Sequence, residues 1–279
     1  MIDIIIPVYN TPEEDLKRCL DSILSSTFKD YKVYIIDDGS KDATKEYLDE
    51  YVKDKDNFIV KHIPNGGVSN ARNLGIDISD SKYLTFVDSD DYIEKDFLKE
   101  AYDLIENNNL DLIIGGYNEV RNNEIIKTRL CLPGLHIYEK DSIIYFFDKL
   151  LSGKITDINK EIGNAPTGRI YTRLYRRSSL EDLRFNTNIH MSEDTLFMID
   201  LTLKLNRIGL VDKVWYNYLI NDYSISNGTK KDKLIHNIED FIKEIELRKD
   251  KENNIRIKEA YQSRIDKANN EIINLKKDL

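Results

Sequence analysis

Apolar residues in this chain fall first into short runs and then into helical stripes. Ile2 to Val8 is a nearly continuous aliphatic run, the pattern of a parallel strand buried on both faces. Thr11-Pro12-Glu13-Glu14 follows, with a hydroxyl at the N-cap, proline at the first helical position and Glu14 three residues after the cap. Leu16, Leu20, Ile23 and Leu24 then share one stripe, so the spacing predicts a helix. The alternation continues with strands over 31–36, 58–62, 82–87 and 110–115, and helices over 44–53, 68–78 and 95–107. Further on, helices are predicted over 141–151 and 195–205, a loop over 163–168 and a strand over 214–219.

Strand-helix alternation of this kind predicts an α/β fold, with a mostly parallel, Rossmann-like sheet flanked by helices. Ligands of such sheets gather at the carboxyl ends of the strands, which directs attention to the residues just after Val8, Ile36, His62 and Val87. The character changes after Gly228. Leu234, Ile238, Phe241 and Ile245 form one stripe, and Tyr261, Ile265, Ala268, Ile272, Leu275 and Leu279 form a second on a highly charged helix. We therefore expect one large domain over 1–228, with halves meeting near 118, and a helical extension over 229–279. The extension's stripes suit packing against the large domain, a homodimer or a membrane surface equally.

Composition narrows the partners. A formal charge of −9 over 279 residues disfavours nucleic acid and anionic lipid in the mean, while leaving room for a local cationic pocket. Hydrophobic residues at 41% and charged residues at 33% suit an ordinary globular chain. Cys19 and Cys131 lie far apart in sequence, and Cys19 sits among apolar helix positions, so buried thiols are expected rather than a disulfide. The start lacks the basic lead of a signal peptide, and no apolar run approaches the ~20 residues needed to span a bilayer. The expectation is a cytoplasmic protein, peripheral to the inner face of the membrane at most.

Four polar segments carry candidate chemistry. Asp88-Ser89-Asp90 directly follows a buried strand, placing two carboxylates at the predicted crevice. Mg2+ or Mn2+ binds through one or two such carboxylates plus substrate phosphates; a helix cap is the plain alternative. Asp37-Asp38-Gly39-Ser40 ends the second strand, where a carboxylate can accept a nucleobase N–H; a tight Asp-Gly turn explains Gly39 and Ser40 but not both acids. Asn65-Gly66-Gly67 runs into a helix as a phosphate-approach element would, and Arg72 on that helix is placed to pair with donor oxygens or with one of the acids. Ser192-Glu193-Asp194 precedes a helix; helix capping accounts for it, and so does a general base for an acceptor hydroxyl. The four histidines lack metal-ligand spacing, and only His190, near the acidic pair, invites attention.

In this order, Ile6-Pro7-Val8-Tyr9-Asn10, Ile36-Asp37-Asp38-Gly39-Ser40, the segment Gly67 to Gly75, Phe86-Val87-Asp88-Ser89-Asp90-Asp91 and Ser192-Glu193-Asp194 resemble glycosyltransferase family 2. The resemblance is dense over the first hundred residues, thinner to about Ser226 and absent from the tail. It implies a GT-A fold in which Pro7, Tyr9 and Asp38 hold the nucleotide of a UDP-sugar, with Val8, Asn10, Asn65, Gly67, Arg72 and Ser89 as further donor-site candidates. It also implies that Asp90 is the metal ligand, that Asp88 contacts the ribose or the metal shell, and that Asp194 is the catalytic base beside Glu193. The implied acceptor is a saccharide or lipid-linked saccharide in bacterial surface polysaccharide synthesis. Leu174-Tyr175-Arg176-Arg177 also resembles a family segment. Many relatives carry arginine and histidine where Leu219 and Asn221 stand, so either the metal with Arg72 or Arg173 neutralises the diphosphate, or Lys230 or Lys231 takes over. A Mg2+-dependent phosphatase with an aspartate nucleophile and a non-catalytic nucleotide-binding scaffold are the competing readings.

Overall fold

The computed structural model describes residues 1–152, 168–220 and 231–277. β1 (Ile2–Val8) lies between β2 (Tyr31–Asp37) and β4 (Tyr83–Phe86), and β3 (Phe58–His62) borders β2; all of these pairs are parallel. Every residue of β1 is buried because both of its faces are covered, which is why its sequence is a run rather than an alternation. Ile4 and Ile6 enter one apolar cluster with Leu16 and Leu20 of α1 (Glu13–Leu24), while Ile5 enters another with Ile76 of α3 (Val68–Ile78). A methyl group on Gly75 would run into the Ile5 side chain, so glycine there lets α3 lie close on β1. α2 (Asp42–Val52) completes this part, leading back to β3.

Past β4 the sheet is no longer uniform. β9 (Arg173–Arg176) inserts antiparallel between β4 and β6 (Leu112–Arg121), and β10 (Arg207–Leu219) lies parallel to β6. β5 (Tyr92–Ile93) and β8 (Leu135–Glu139) pair antiparallel with β10, and β7 (Glu124–Arg129) with β6. The predicted parallel sheet thus describes the first half, and a mixed sheet the second. β9 escapes a pattern reading because its four residues, Arg-Leu-Tyr-Arg, show no apolar run. β10 is longer than its predicted 214–219 because a register shift between Leu210 and Val214 interrupts the alternation.

Several helix starts also differ from expectation by up to two residues. α1 begins at Glu13 without a side-chain cap, and the Thr11 hydroxyl instead meets Ser89 Oγ at 2.6 Å. α6 (Glu193–Thr202) begins two residues before the predicted 195. The predicted loop over 163–168 lies outside the described residues except for Gly168, as do Asn221, Lys230 and Leu279.

The tail forms α7 (Lys231–Lys251) and α8 (Ile255–Lys277), and its stripes are buried on the chain itself. Ile238, Phe241, Tyr261 and Ile265 join the cluster that holds Phe146 and Phe147 of α5 (Ile143–Ser152) and Leu196 of α6. Arg248 of α7 grips Asp200 of α6 through Nε at 2.7 Å and Nη2 at 2.6 Å, so the tail braces the acid-bearing helix. α4 (Phe97–Asn107) covers the opposite face, its Phe97 ring 5.2 Å from Trp215 of β10. Both cysteines are free and buried, as expected.

Candidate active site

The carboxyl ends of β1, β2 and β4 lie side by side, and each is followed by polar residues. After β4 the chain turns through Asp88 to Asp91. Asp91 is fully buried, and its carboxylate accepts hydrogen bonds from the Tyr216 hydroxyl and the Leu219 amide, both at 2.8 Å. Tyr216 Oη also accepts the Asp88 amide at 3.0 Å. Asp91 therefore anchors the turn to β10, a role unassigned in the sequence although the Asp-Ser-Asp-Asp run contains it. Burial raises its carboxyl well above the usual range, with Asp90 and Asp88 adding to the rise.

Asp90 is left without such support. Burial and then the neighbouring Asp88 push its pKa up to about 6. A carboxylate in this state is relieved by a cation. The donor set is two hard oxygen ligands, Asp88 and Asp90, on one turn, and among the described residues no cluster of three acids, histidines or cysteines offers a full cage. That combination fits Mg2+ or Mn2+ completed by substrate phosphates, and does not fit a closed structural metal site.

After β2, Asp37 and Asp38 both turn inward. Asp37 is fully buried; its oxygens take the Ser40 amide at 3.0 Å and His62 Nδ1 at 2.6 Å. His62 also reaches Asp49 at 3.2 Å, and these two carboxylates outweigh burial and raise its pKa. It is a structural tie between β2, α2 and β3 rather than an incidental side chain. Asp38 accepts the Gly66 and Gly67 amides, each at 2.8 Å, and Asn65 Nδ2 caps the Asp38 carbonyl at 3.0 Å. The glycine turn expected to approach a phosphate thus spends these two amides on Asp38. Gly67 does so at φ +88°, a backbone angle that suits glycine. Asn10, at φ +51°, is held by the Ser40 hydroxyl on its amide and offers Oδ1 to the Lys41 amide. Pro7 and Val8 are buried in β1, so they can meet a nucleotide only through backbone, whereas Tyr9 is 53% exposed at the mouth.

Arg72 connects the two acidic elements. It is 5% exposed; Nη2 reaches Asp88 Oδ1 and Nη1 reaches Glu193 Oε1, each at 2.9 Å. These carboxylates overcome the burial that would lower its pKa. The guanidinium lies 5.4 Å from the Phe185 ring centre, and the next residue, Asn73, exchanges two hydrogen bonds with the Phe185 backbone. α3 therefore positions the segment leading to α6. Ser192 precedes that helix at φ +65°, a strained angle for serine.

Of the pair at the start of α6, Glu193 is bound to Arg72. Asp194 accepts the Thr195 amide at 2.7 Å; burial and then Glu193 push its pKa up to about 6, against the lowering by Arg169 and Arg72. The site thus brings together Asp88, Asp90, Arg72, Glu193 and Asp194 as one network. Arg72 turns both terminal nitrogens to carboxylates while its buried Nε has no partner among the described residues, and Arg173 is fully buried on β9, so neither is an open cation for a diphosphate. His190 is exposed and has no contact that assigns it a role.

The acid turn at the sheet edge and the second acid pair at a helix start thus face one crevice of the mixed sheet. The profile of the glycosyl transferase family 2 matches residues 3–184, and the chain belongs to that family. It is 30% identical over 227 residues to the glycosyltransferase GlyA of Streptococcus pneumoniae, covering 81% of this chain and 31% of the relative. It is 29% identical over 226 residues to the poly(ribitol-phosphate) beta-glucosyltransferase of Bacillus spizizenii, covering 78% and 32%. The structure of TarS residues 1–349 from S. aureus in complex with UDP superposes with a TM-score of 0.65 at 25% identity, over 88% of this chain and 65% of that one. The complex of the same protein with UDP-GlcNAc gives 0.69 over 98% of this chain and 72% of the other, at 23% identity, which speaks for the fold alone. These neighbours identify the fold as GT-A-like. The chain spans about a third of GlyA and 63% of a second relative, EpsJ of Bacillus subtilis. Among the described residues no helix is long and apolar enough to cross a membrane.

Proposed function

We propose that this protein is a metal-dependent inverting glycosyltransferase that moves a hexose or N-acetylhexosamine from a UDP-sugar to an acceptor hydroxyl in bacterial surface polysaccharide synthesis. The observation that carries this reading is the division made by Arg72. It binds one acid of each pair, Asp88 and Glu193, and leaves Asp90 and Asp194 unpaired with pKa values near 6.

Asp90, assisted by Asp88, would hold Mn2+ or Mg2+. Bound there, the cation supplies charge neutralisation for the departing diphosphate. Tyr9, exposed at the mouth, offers a ring to the uracil, and Asp38 keeps the adjoining turn in shape. Asp194 removes the acceptor proton as the acceptor oxygen attacks the anomeric carbon; the electron pair of the breaking bond leaves with the diphosphate. A pKa near 6 leaves Asp194 ionised at neutral pH while making it a stronger base than an ordinary carboxylate. Residues 1–118 form the donor side of this scheme, 119–228 the acceptor side, and the tail over 229–279 its brace. An aspartate-nucleophile phosphatase using Asp88 would need that acid free, whereas it is tied to Arg72.

A screen of UDP-sugars for hydrolysis with and without Mn2+ tests the proposal. The acceptor series should include saccharides, lipid-linked saccharides and ribitol-phosphate oligomers, the last because relatives named for poly(ribitol-phosphate) share the family. Metal-dependent release of UDP from at least one donor is the expected result. Release of inorganic phosphate from simple phosphoesters, without donor turnover, would point to the phosphatase instead.

A further inference from the structure

One cation of the crevice is held without a carboxylate. Arg169 is exposed, and among the described residues it makes neither an ion pair nor a side-chain hydrogen bond. Its guanidinium carbon lies 5.4 Å from the ring centre of Tyr218 and 5.7 Å from that of Tyr171. These rings belong to a shelf: Tyr171 stacks on Tyr216 at 4.5 Å and 6°, and on Tyr218 at 5.9 Å and 12°. The shelf's inner end is fixed, because the Tyr216 hydroxyl is bonded to Asp91 and to the Asp88 amide. Arg169 is therefore carried at the outer end of a rigid stack whose other end touches the acid turn. It also lies near enough to Asp194 to lower that carboxyl's pKa.

The contrast with Arg72 is chemical. Arg72 is ion-paired to two acids, whereas among the described residues Arg169 lies over ring faces and feels Asp194 only at longer range, an arrangement that stabilises a cation without using its N–H donors. A planar fork of open donors between a general base and a metal-binding turn matches a phosphate oxyanion.

We propose that Arg169 binds a phosphate oxyanion of a substrate during transfer, its guanidinium pre-oriented by the Tyr171–Tyr216–Tyr218 shelf. This rests on the glycosyltransferase reading of the site. The phosphate is either the donor's diphosphate or one carried by the acceptor, and the two sources separate by experiment. Calorimetry on the full chain with Mg2+ would measure binding of pyrophosphate, UDP, uridine and ribitol 5-phosphate to the wild type, R169A and R169K.

A lost charge-assisted contact of about 1.5–3 kcal/mol corresponds to about a 10–100-fold loss of affinity. If the donor is the source, R169A loses that much affinity for pyrophosphate and UDP and none for uridine, and R169K recovers part of it. If the acceptor is the source, only ribitol 5-phosphate weakens. Unchanged affinity of R169A for all three phosphates overturns the proposal, as does a wild type that binds none of them. A wild type that binds pyrophosphate but gains nothing from the uridine moiety counts against the UDP-sugar reading, not against Arg169.

Discussion

The turn after β4 and the start of α6 carry acid pairs of similar make-up, yet their surroundings differ in sign. Asp90 is flanked by Asp88 and Asp91, with Asp15 also raising its pKa against a smaller lowering by Arg18, so its field is set mainly by other acids. Asp194 has one acidic neighbour, Glu193, and two arginines, Arg169 and Arg72, that lower its pKa. Burial raises both to about 6. An acid among acids is relieved by a metal ion; an acid balanced by arginines is relieved by nothing further and remains available to a proton. On the proposed reading, the same residue type acquires two roles from its neighbours.

The largest effect that would break this contrast is on turnover. Asp194→Asn removes the base, and transfer should fall about 10²–10⁴-fold with UDP affinity unchanged. Equal loss of UDP binding would mean that Asp194 is not confined to the acceptor side. The wild-type rate should fall as pH drops through about 6, because protonated Asp194 cannot accept the acceptor proton. The sign for stability is opposite: the raised pKa means that the folded protein holds this proton more tightly than the unfolded chain. Asp194 therefore stabilises the fold below its usual carboxylate range and loses that contribution as pH rises through about 6.

Next in size is the shared cation. Arg72→Leu leaves Asp88 and Glu193 without their partner and should cost about 3 kcal/mol, the lower end for a broken buried pair because Asp88 keeps some solvent contact. Urea unfolding reads this, and a loss confined to one acid pair in a double-mutant cycle with Glu193→Gln would contradict the bridging role. The smallest effect belongs to the second strand end. Asp38→Ala abandons the Gly66 and Gly67 amides and should cost about 1–3 kcal/mol, read by the same unfolding curve. An unchanged midpoint would mean that water satisfies those amides.

How much of this was legible in the sequence follows the range of the interactions. β1 was readable because burial on both sheet faces leaves an aliphatic run, and β2 to β4 because short apolar runs alternate with helical stripes even where, as in the edge strand β3, some residues are exposed. β9 was not, since its strand character comes from neighbours at β4 and β6 rather than from its own four residues. The acid pairs were visible as motifs, but their division was not: Arg72 meets Glu193 across 121 positions of chain. Thr11 shows the reverse error, where a local capping pattern lost to a distant hydroxyl on Ser89. Arg169 carries no motif at all, and only the stacked rings of β10 and of the segment before β9 single it out.

The central claim is that Asp90 serves the metal and Asp194 the proton. UDP titrations with and without Mn2+ on Asp90→Asn and Asp194→Asn, set beside the wild type, test it most directly. The account predicts that Asp90→Asn loses the gain in UDP affinity that Mn2+ gives, while Asp194→Asn keeps it in full. If Asp90→Asn binds UDP as the wild type does in Mn2+, or if both variants lose the gain alike, the division of roles is wrong.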